Sequence, residues 1–239
     1  MKVTYKEFRE KTPLGPFYKH SIIGYISSAL SPFLAIPCMR YGWSPNKMTM
    51  AMIITGIIAG IFLMMPFLVC KGISILLYIL WFTWDCADGE VARFTKTFSK
   101  YGKQLDWMSH LSCHSIFIIA MWISFMQDKQ ACMDLLSVVS FILLSAELIS
   151  RNIVTLTSYS FPDSNASSQW PVKRLLSLKF LTTQLFWFPN MVFIMPSLLV
   201  LDKVLHTSFI GYVYVFWAIS YSLFIVKKYF QITLHFYRE

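Results

Sequence analysis

The sequence predicts an all-α, polytopic membrane protein: a bundle of six transmembrane helices plus an N-terminal interfacial helix. Three observations carry this. Of the 239 residues, 56% are hydrophobic, only 14% are charged and 21 are Phe, with a mean hydropathy of +0.55, a balance foreign to soluble domains. Apolar runs suited to a hydrocarbon layer of about 30 Å recur along the chain. Drawn as six spans with both termini cytoplasmic, all but Lys71, Lys129 and Lys203 of the 21 lysines and arginines fall on the cytoplasmic side.

The elements follow in order. Residues 1–18 are polar and mixed in charge, with acids and no apolar core of a cleaved signal peptide, so they are expected to form a cytoplasmic tail. From His20 to Trp43 the chain is moderately apolar and interrupted by Pro32 and Pro37, with Lys19 and Arg40 at its ends, which suits a helix lying along the membrane surface. Residues 1–43 thus form a tail and an interfacial helix, and residues 44–239 a single six-helix transmembrane domain. Ser44 is a natural N-cap and Pro45 suits the first helical turn, so SPNKMT opens a first span from Met48 to about Val69.

A second span runs from Gly72 to about Trp84 and continues as helix through an acidic stretch. Its apolar part is short, which puts Asp85 and Asp88 near a membrane–water boundary. The turn FTKTFSKY leads into a third span, Gly102 to about Met126. A fourth covers about Cys132 to Thr157 and carries Glu147 and Arg151 four residues apart. After a long polar loop containing Lys173 and Arg174 come a fifth span, Phe180 to about Leu201, with Pro189 and Pro196, and a sixth, about His206 to Val226, ending in Lys227 and Lys228.

The composition also excludes function classes. A net charge of +9 raises nucleic acid as a partner, but the basic residues cluster between apolar runs and are not interleaved with aromatics, so no nucleic-acid interface is expected. Anionic headgroups and nucleotide phosphates account for the charge better. Cys38, Cys70, Cys86, Cys113 and Cys132 show no CxxC spacing and read as apolar fillers. No phosphate loop, nucleophile elbow or Rossmann fingerprint is present. A small transporter would spread polar residues near the bilayer midplane and often show inverted repeats. Here they crowd at one boundary.

That boundary is Trp84 to His110, WDCADGEVARFTKTFSKYGKQLDWMSH. Asp85 and Asp88, three apart, share one helix face, and Asp106 and His110, four apart, share another. Charged groups at membrane depth are costly and are kept where they face a protein interior or a watery site. Three converging acids repel one another unless a divalent cation lies between them, and hard oxygen ligands select Mg²⁺, Mn²⁺ or Ca²⁺ over thiolate-seeking metals. Arg93 suits bidentate pairing with phosphate. Glu147 and Arg151 are either an intramembrane salt bridge or, with Lys173 and Arg174, a receiver for a phosphate or acidic headgroup. His114, one turn beyond His110, reads as structural in preference to half of a zinc pair.

The ordered set Asp85, Asp88-Gly89, Ala92-Arg93, Gly102, Asp106 and position 110 resembles the signature of the CDP-alcohol phosphotransferases, and SPNKMT resembles that family's Pro-Asn-x-x-Thr segment. The resemblance implies a six-span membrane enzyme, a homodimer, that moves a substituted phosphate from a CDP-alcohol donor to an alcohol acceptor and releases CMP. It implies that Asp85, Asp88 and Asp106 hold Mg²⁺ or Mn²⁺ across the pyrophosphate. Gly89, Ala92 and Gly102 would let backbone approach the nucleotide, with Asn46 and Thr49 contacting it from the first span. In a bacterium such an enzyme would occupy the cytoplasmic membrane and serve phospholipid or glycoconjugate biosynthesis.

One position departs from the pattern. The family's fourth acid, the base for the attacking hydroxyl, falls at His110. A neutral histidine, with an ordinary pKa of about 6.5, can accept that proton or ligate a metal; alternatively the change marks a protein that binds CDP-alcohols without turning them over. The acceptor is left open between a diacylglycerol-type lipid, which needs a lateral opening, and a soluble polyol phosphate, which needs Arg151, Lys173 and Arg174 facing the pocket.

Overall fold

The computed structural model describes residues 3–13, 21–128, 133–160 and 187–238. Among them the chain forms helices and no strand: α1 (Tyr5–Lys11), α2 (Ile22–Arg40), α3 (Pro45–Met64), α4 (Leu68–Thr95), α5 (Gly102–Gln127), α6 (Met133–Ser160), α7 (Phe188–Val204) and α8 (Ile210–Arg238). By length and composition α2, α3, α4, α5, α6 and α8 could each cross a membrane. α7 has 17 residues, and the start of the expected fifth span, 180–186, lies outside the described residues. The protein is an integral membrane helix bundle.

The start of α3 obeys the capping logic read from the sequence. The Ser44 hydroxyl accepts from Lys47 N and Pro45 sits in the first turn of α3. Ser21 caps α2 in the same way through Gly24 N. α3 ends at Met64, earlier than expected, because Pro66 follows. A residue before proline is pushed out of the helical region, and Met65 is extended, with φ −71° and ψ 143°. α4 then starts at Leu68, before the expected Gly72, and runs unbroken through the acidic stretch to Thr95, where Lys96 ends it in the left-handed conformation.

α4 is central. It packs against α2, α3 and α7, while α5 packs against α3 and α6, and α6 against α8. Close approach of α3 to its neighbours depends on Gly56 and Gly60, a small-x-x-x-small pair. A Cβ at Gly56 would collide with Cys113 Sγ of α5 and the Trp81 indole of α4, and one at Gly60 with Ile116 of α5. In lipid, where hydrophobicity gives little drive between helices, such backbone contact is a main source of association. Tyr78, Trp81, Phe117, Tyr214 and Trp217 fill the rest of the core.

Lys71, at the end of the bundle away from the acids, is fully buried. Its Nζ donates to Leu63 O at 3.1 Å and to Ser124 Oγ at 2.8 Å. Leu63 is in the last turn of α3, whose carbonyls lack helical partners, so the lysine closes that end.

The expected N-terminal tail is a docked helix. α1 is capped by Thr4 and buries Phe8 in a cluster with Val3, Ala35, Cys38, Met48, Ala87 and Val91. The apolar pair Val3 and Phe8 is too sparse for its burial to be read from the local pattern. α2 also runs straight through Pro32 and Pro37, which the sequence treats as interruptions. Proline removes a helical donor, here leaving the Ser28 carbonyl without its partner four residues on. The guanidinium of Arg9, from α1, donates to that carbonyl, as does Ser31 Oγ at 2.9 Å.

Candidate active site

The acidic stretch of α4 and the first turns of α5 meet side by side, and their polar side chains converge. Asp85 projects from α4; Asp106 and His110 project from one face of α5. One ligand atom from each of the three lies within 4.8 Å of the others, the only such metal-capable group among the described residues. His110 Nε2 is 3.3 Å from Asp85 Oδ1 and 3.5 Å from Asp106 Oδ1. Asp106 Oδ1 is buried with no hydrogen-bond partner. A buried carboxylate oxygen left unsatisfied beside a second carboxylate is costly unless a cation or donor fills the gap. The two hard carboxylate oxygens suit Mg²⁺ or Mn²⁺ and the imidazole favours the transition metal of the two, so the donor set fits a divalent cation.

Asp88 stands beside this trio and faces α3. Thr49 Oγ1 donates to Asp88 Oδ2 at 2.5 Å and also lies 3.2 Å from Pro45 O. Asn46 Nδ2 donates to Ser99 Oγ at 3.0 Å, tying the start of α3 to the α4–α5 turn. Trp43 stacks on Trp84 with rings 8° from parallel, at the same end. An open, largely apolar groove of about 370 Å³ runs from there along α3, past Met50 to Ile54.

The glycines differ in what they accommodate. The exposed Arg93 folds back over Gly89, where a Cβ would lie 3.2 Å from its Nη1. At Gly102 a Cβ would meet only Ser99 at 3.6 Å, ordinary contact, so the protein itself does not demand glycine there. Ala92 is half-buried on the same helix.

Arg151 is engaged. Its Nε donates to Glu147 Oε1 at 2.8 Å within α6, the salt-bridge alternative of the two read from the sequence. Glu147 also pairs with His114 Nδ1 at 2.7 Å and accepts from Tyr221 of α8 at 2.5 Å. His114 is stacked on Phe188 and lies edge-on to His110, ring centroids 5.5 Å apart. Lys173 and Arg174 lie outside the described residues.

Sequence reasoning missed three partnerships: Tyr221 with Glu147, Thr49 with Asp88, and Arg9 with Glu90. Each joins residues at least 39 positions apart, so no local pattern signals them. Glu90 is visible in the sequence directly after Gly89, but its burial, which gives it meaning, appears only in the structure.

Comparison with curated proteins finds no match. The sequence model described as CDP-alcohol phosphatidyltransferase matches residues 43–226, which span α3 to α7, most of α8 and every acid of the site. On that match over most of its length, the chain belongs to the CDP-alcohol phosphatidyltransferase family.

Proposed function

We propose that the protein is a metal-dependent transferase that moves a substituted phosphate from a CDP-alcohol to a hydroxyl acceptor, releasing CMP, in phospholipid or related membrane biosynthesis. The convergence of Asp85, Asp106 and His110 within 4.8 Å is the observation that carries this reading. Asp85 and Asp106 would hold the cation, Mg²⁺ or Mn²⁺, with Asp88 alongside. Such an ion supplies charge neutralisation at the pyrophosphate, the main need of phosphoryl transfer.

The chain's own residues do the rest. Thr49 holds Asp88 in one orientation through the 2.5 Å hydrogen bond. Arg93, exposed over Gly89, is free of steric obstruction towards a phosphate and can pair with it bidentately. Gly102 leaves room for the nucleotide, Gly89 and the small Ala92 would admit it once Arg93 turns onto the phosphate, and Asn46 lies where it can exchange Ser99 for a nucleotide oxygen. His110 takes the acceptor proton at Nε2, the ring atom that faces both carboxylates. The imidazolium so formed lies 3.3 Å from Asp85 and 3.5 Å from Asp106, which stabilise it. A histidine thereby substitutes for the family's acid without loss of a base.

The acceptor is a lipid alcohol. The open apolar groove lined by Trp43, Asn46, Met50 and Ile54 on α3 suits an acyl chain, whereas Arg151, the described candidate for an acceptor phosphate, is paired with Glu147. The site opens to the cytoplasm, where nucleotides and Mg²⁺ are supplied, and the protein works as a homodimer with both termini cytoplasmic.

The test is CMP release by the purified protein, given CDP-alcohols, diacylglycerol and Mg²⁺ or Mn²⁺, beside Asp88→Asn and His110→Asp. Metal-dependent release that disappears in Asp88→Asn supports the reading. A silent wild type with an active His110→Asp would instead make this a CDP-alcohol-binding protein whose turnover was switched off at position 110.

A further inference from the structure

The structure assigns a positioning role to Glu90 and Arg9: their buried ion pair latches the N-terminal helix α1 onto the back of the motif helix and sets the rotation at which α4 presents its acids. This rests on the transferase reading above. α1 and α2 both precede residue 43, where the family match begins, while Glu90 lies within it, so the latch joins a segment outside the matched region to the motif helix.

The geometry begins with helical periodicity. Residues advance by about 100° each along an α-helix, so Glu90 falls roughly opposite the face shared by Asp85 and Asp88. Ala87 and Phe94 lie on that same back stripe, three before and four after Glu90. α1 covers it: Phe8 packs on Phe94 with ring centroids 5.3 Å apart and buries itself beside Ala87 and Val91. An apolar wedge of this kind can slide or rotate at small cost. A charge pair cannot.

Arg9 Nη1 reaches Glu90 Oε1 at 2.8 Å, with the glutamate side chain 3% exposed. Glu90 Oε2 accepts from Ser31 Oγ of α2 at 2.7 Å. The other arm of the guanidinium donates to the Ser28 carbonyl, the one that Pro32 leaves without a helical donor, and approaches Ser31 Oγ at 3.2 Å. One side chain of α1 thus pins α2 and α4 together, using a carbonyl exposed by proline and a carboxylate two residues from Asp88. Buried ion pairs are poor sources of net stability, since apolar replacements often do as well or better. What they provide well is a single register. Here the register is that of Asp85 and Asp88 relative to Asp106 and His110 on α5, which set the spacing of the donor atoms.

The experiment uses the full-length protein in nanodiscs and reads three quantities: Mn²⁺ affinity by loss of the free-ion EPR signal, the kcat and KM of CMP release, and thermal unfolding. Variants are Glu90→Gln, Arg9→Gln and the double Gln variant. Lys203→Met is the control, because it breaks the 2.6 Å ion pair with Asp128 far from the acids. Each single variant is expected to weaken Mn²⁺ binding by about fivefold or more and to lower kcat with little change in donor KM, the double variant being no worse than either single. The control should lower the unfolding temperature without moving Mn²⁺ affinity. Should Glu90→Gln fail to fold, Ser31→Ala loosens the same carboxylate with both charges kept, and a weaker Mn²⁺ affinity is again expected. Variants that unfold earlier yet bind Mn²⁺ and turn over like the wild type overturn the inference and leave the transferase reading standing. A wild type that neither binds Mn²⁺ nor releases CMP overturns both.

Discussion

His110 on α5 and Asp85 on α4 meet at 3.3 Å, and that contact joins the two halves of the acidic stretch across the turn between them. The pairing brings the imidazole of His110 into one cluster with the metal-capable carboxylates of Asp85 and Asp106. Nearby, Asp88 is directed to α3 by Thr49, which separates its role from that of the trio.

Thr49→Val should lower CMP release by at least about tenfold, because a buried carboxylate loses its hydroxyl donor and loses orientation. Thr49→Ser, which keeps the hydroxyl, should retain most of the rate. Equal rates in both variants would show that the hydrogen bond does not orient Asp88.

Metal removal should destabilise as well as inactivate. A ligand that binds only the folded state stabilises it by about 2.7 kcal/mol at a hundred times its Kd. Chelation should therefore lower the unfolding temperature, and Mn²⁺ should restore it. Asp106→Asn, which alters the unpartnered oxygen's carboxylate, should abolish that shift.

Glu147 holds together α5, α6 and α8. Replacing it by Leu leaves Arg151 and His114 facing each other without the acid, a cost of about 3–5 kcal/mol for a broken buried pair. Tyr221→Phe removes one hydrogen bond to the same carboxylate and should cost about 1–2 kcal/mol. Thermal unfolding of the two variants should rank them in that order.

Gly56→Ala should destabilise by about 1–3 kcal/mol through overpacking against Cys113 and Trp81. Adding Cys113→Ala, which removes the sulfur in the way, should recover part of the loss. Absence of recovery would place the clash at the indole instead.

The sequence by itself determined the class of fold, the cap and first turn of α3, and the grouping of acids that marks the candidate site. Those are local properties: apolar run length, the Ser44 cap, Pro45 in a first turn, and acids at spacings of three and four that share a helix face whatever surrounds them. Helix ends were partly hidden, as at Met65, where Pro66 stops α3 before the apolar run is finished. Tertiary structure alone decided which side chains meet across helices. That His110 faces Asp85, that Tyr221 and His114 share Glu147, and that Arg9 reaches Glu90 all depend on the rotation of one helix against another. Such rotations are set by close packing at residues such as Gly56 and Gly60, and no periodicity within a single helix encodes its partner's angle.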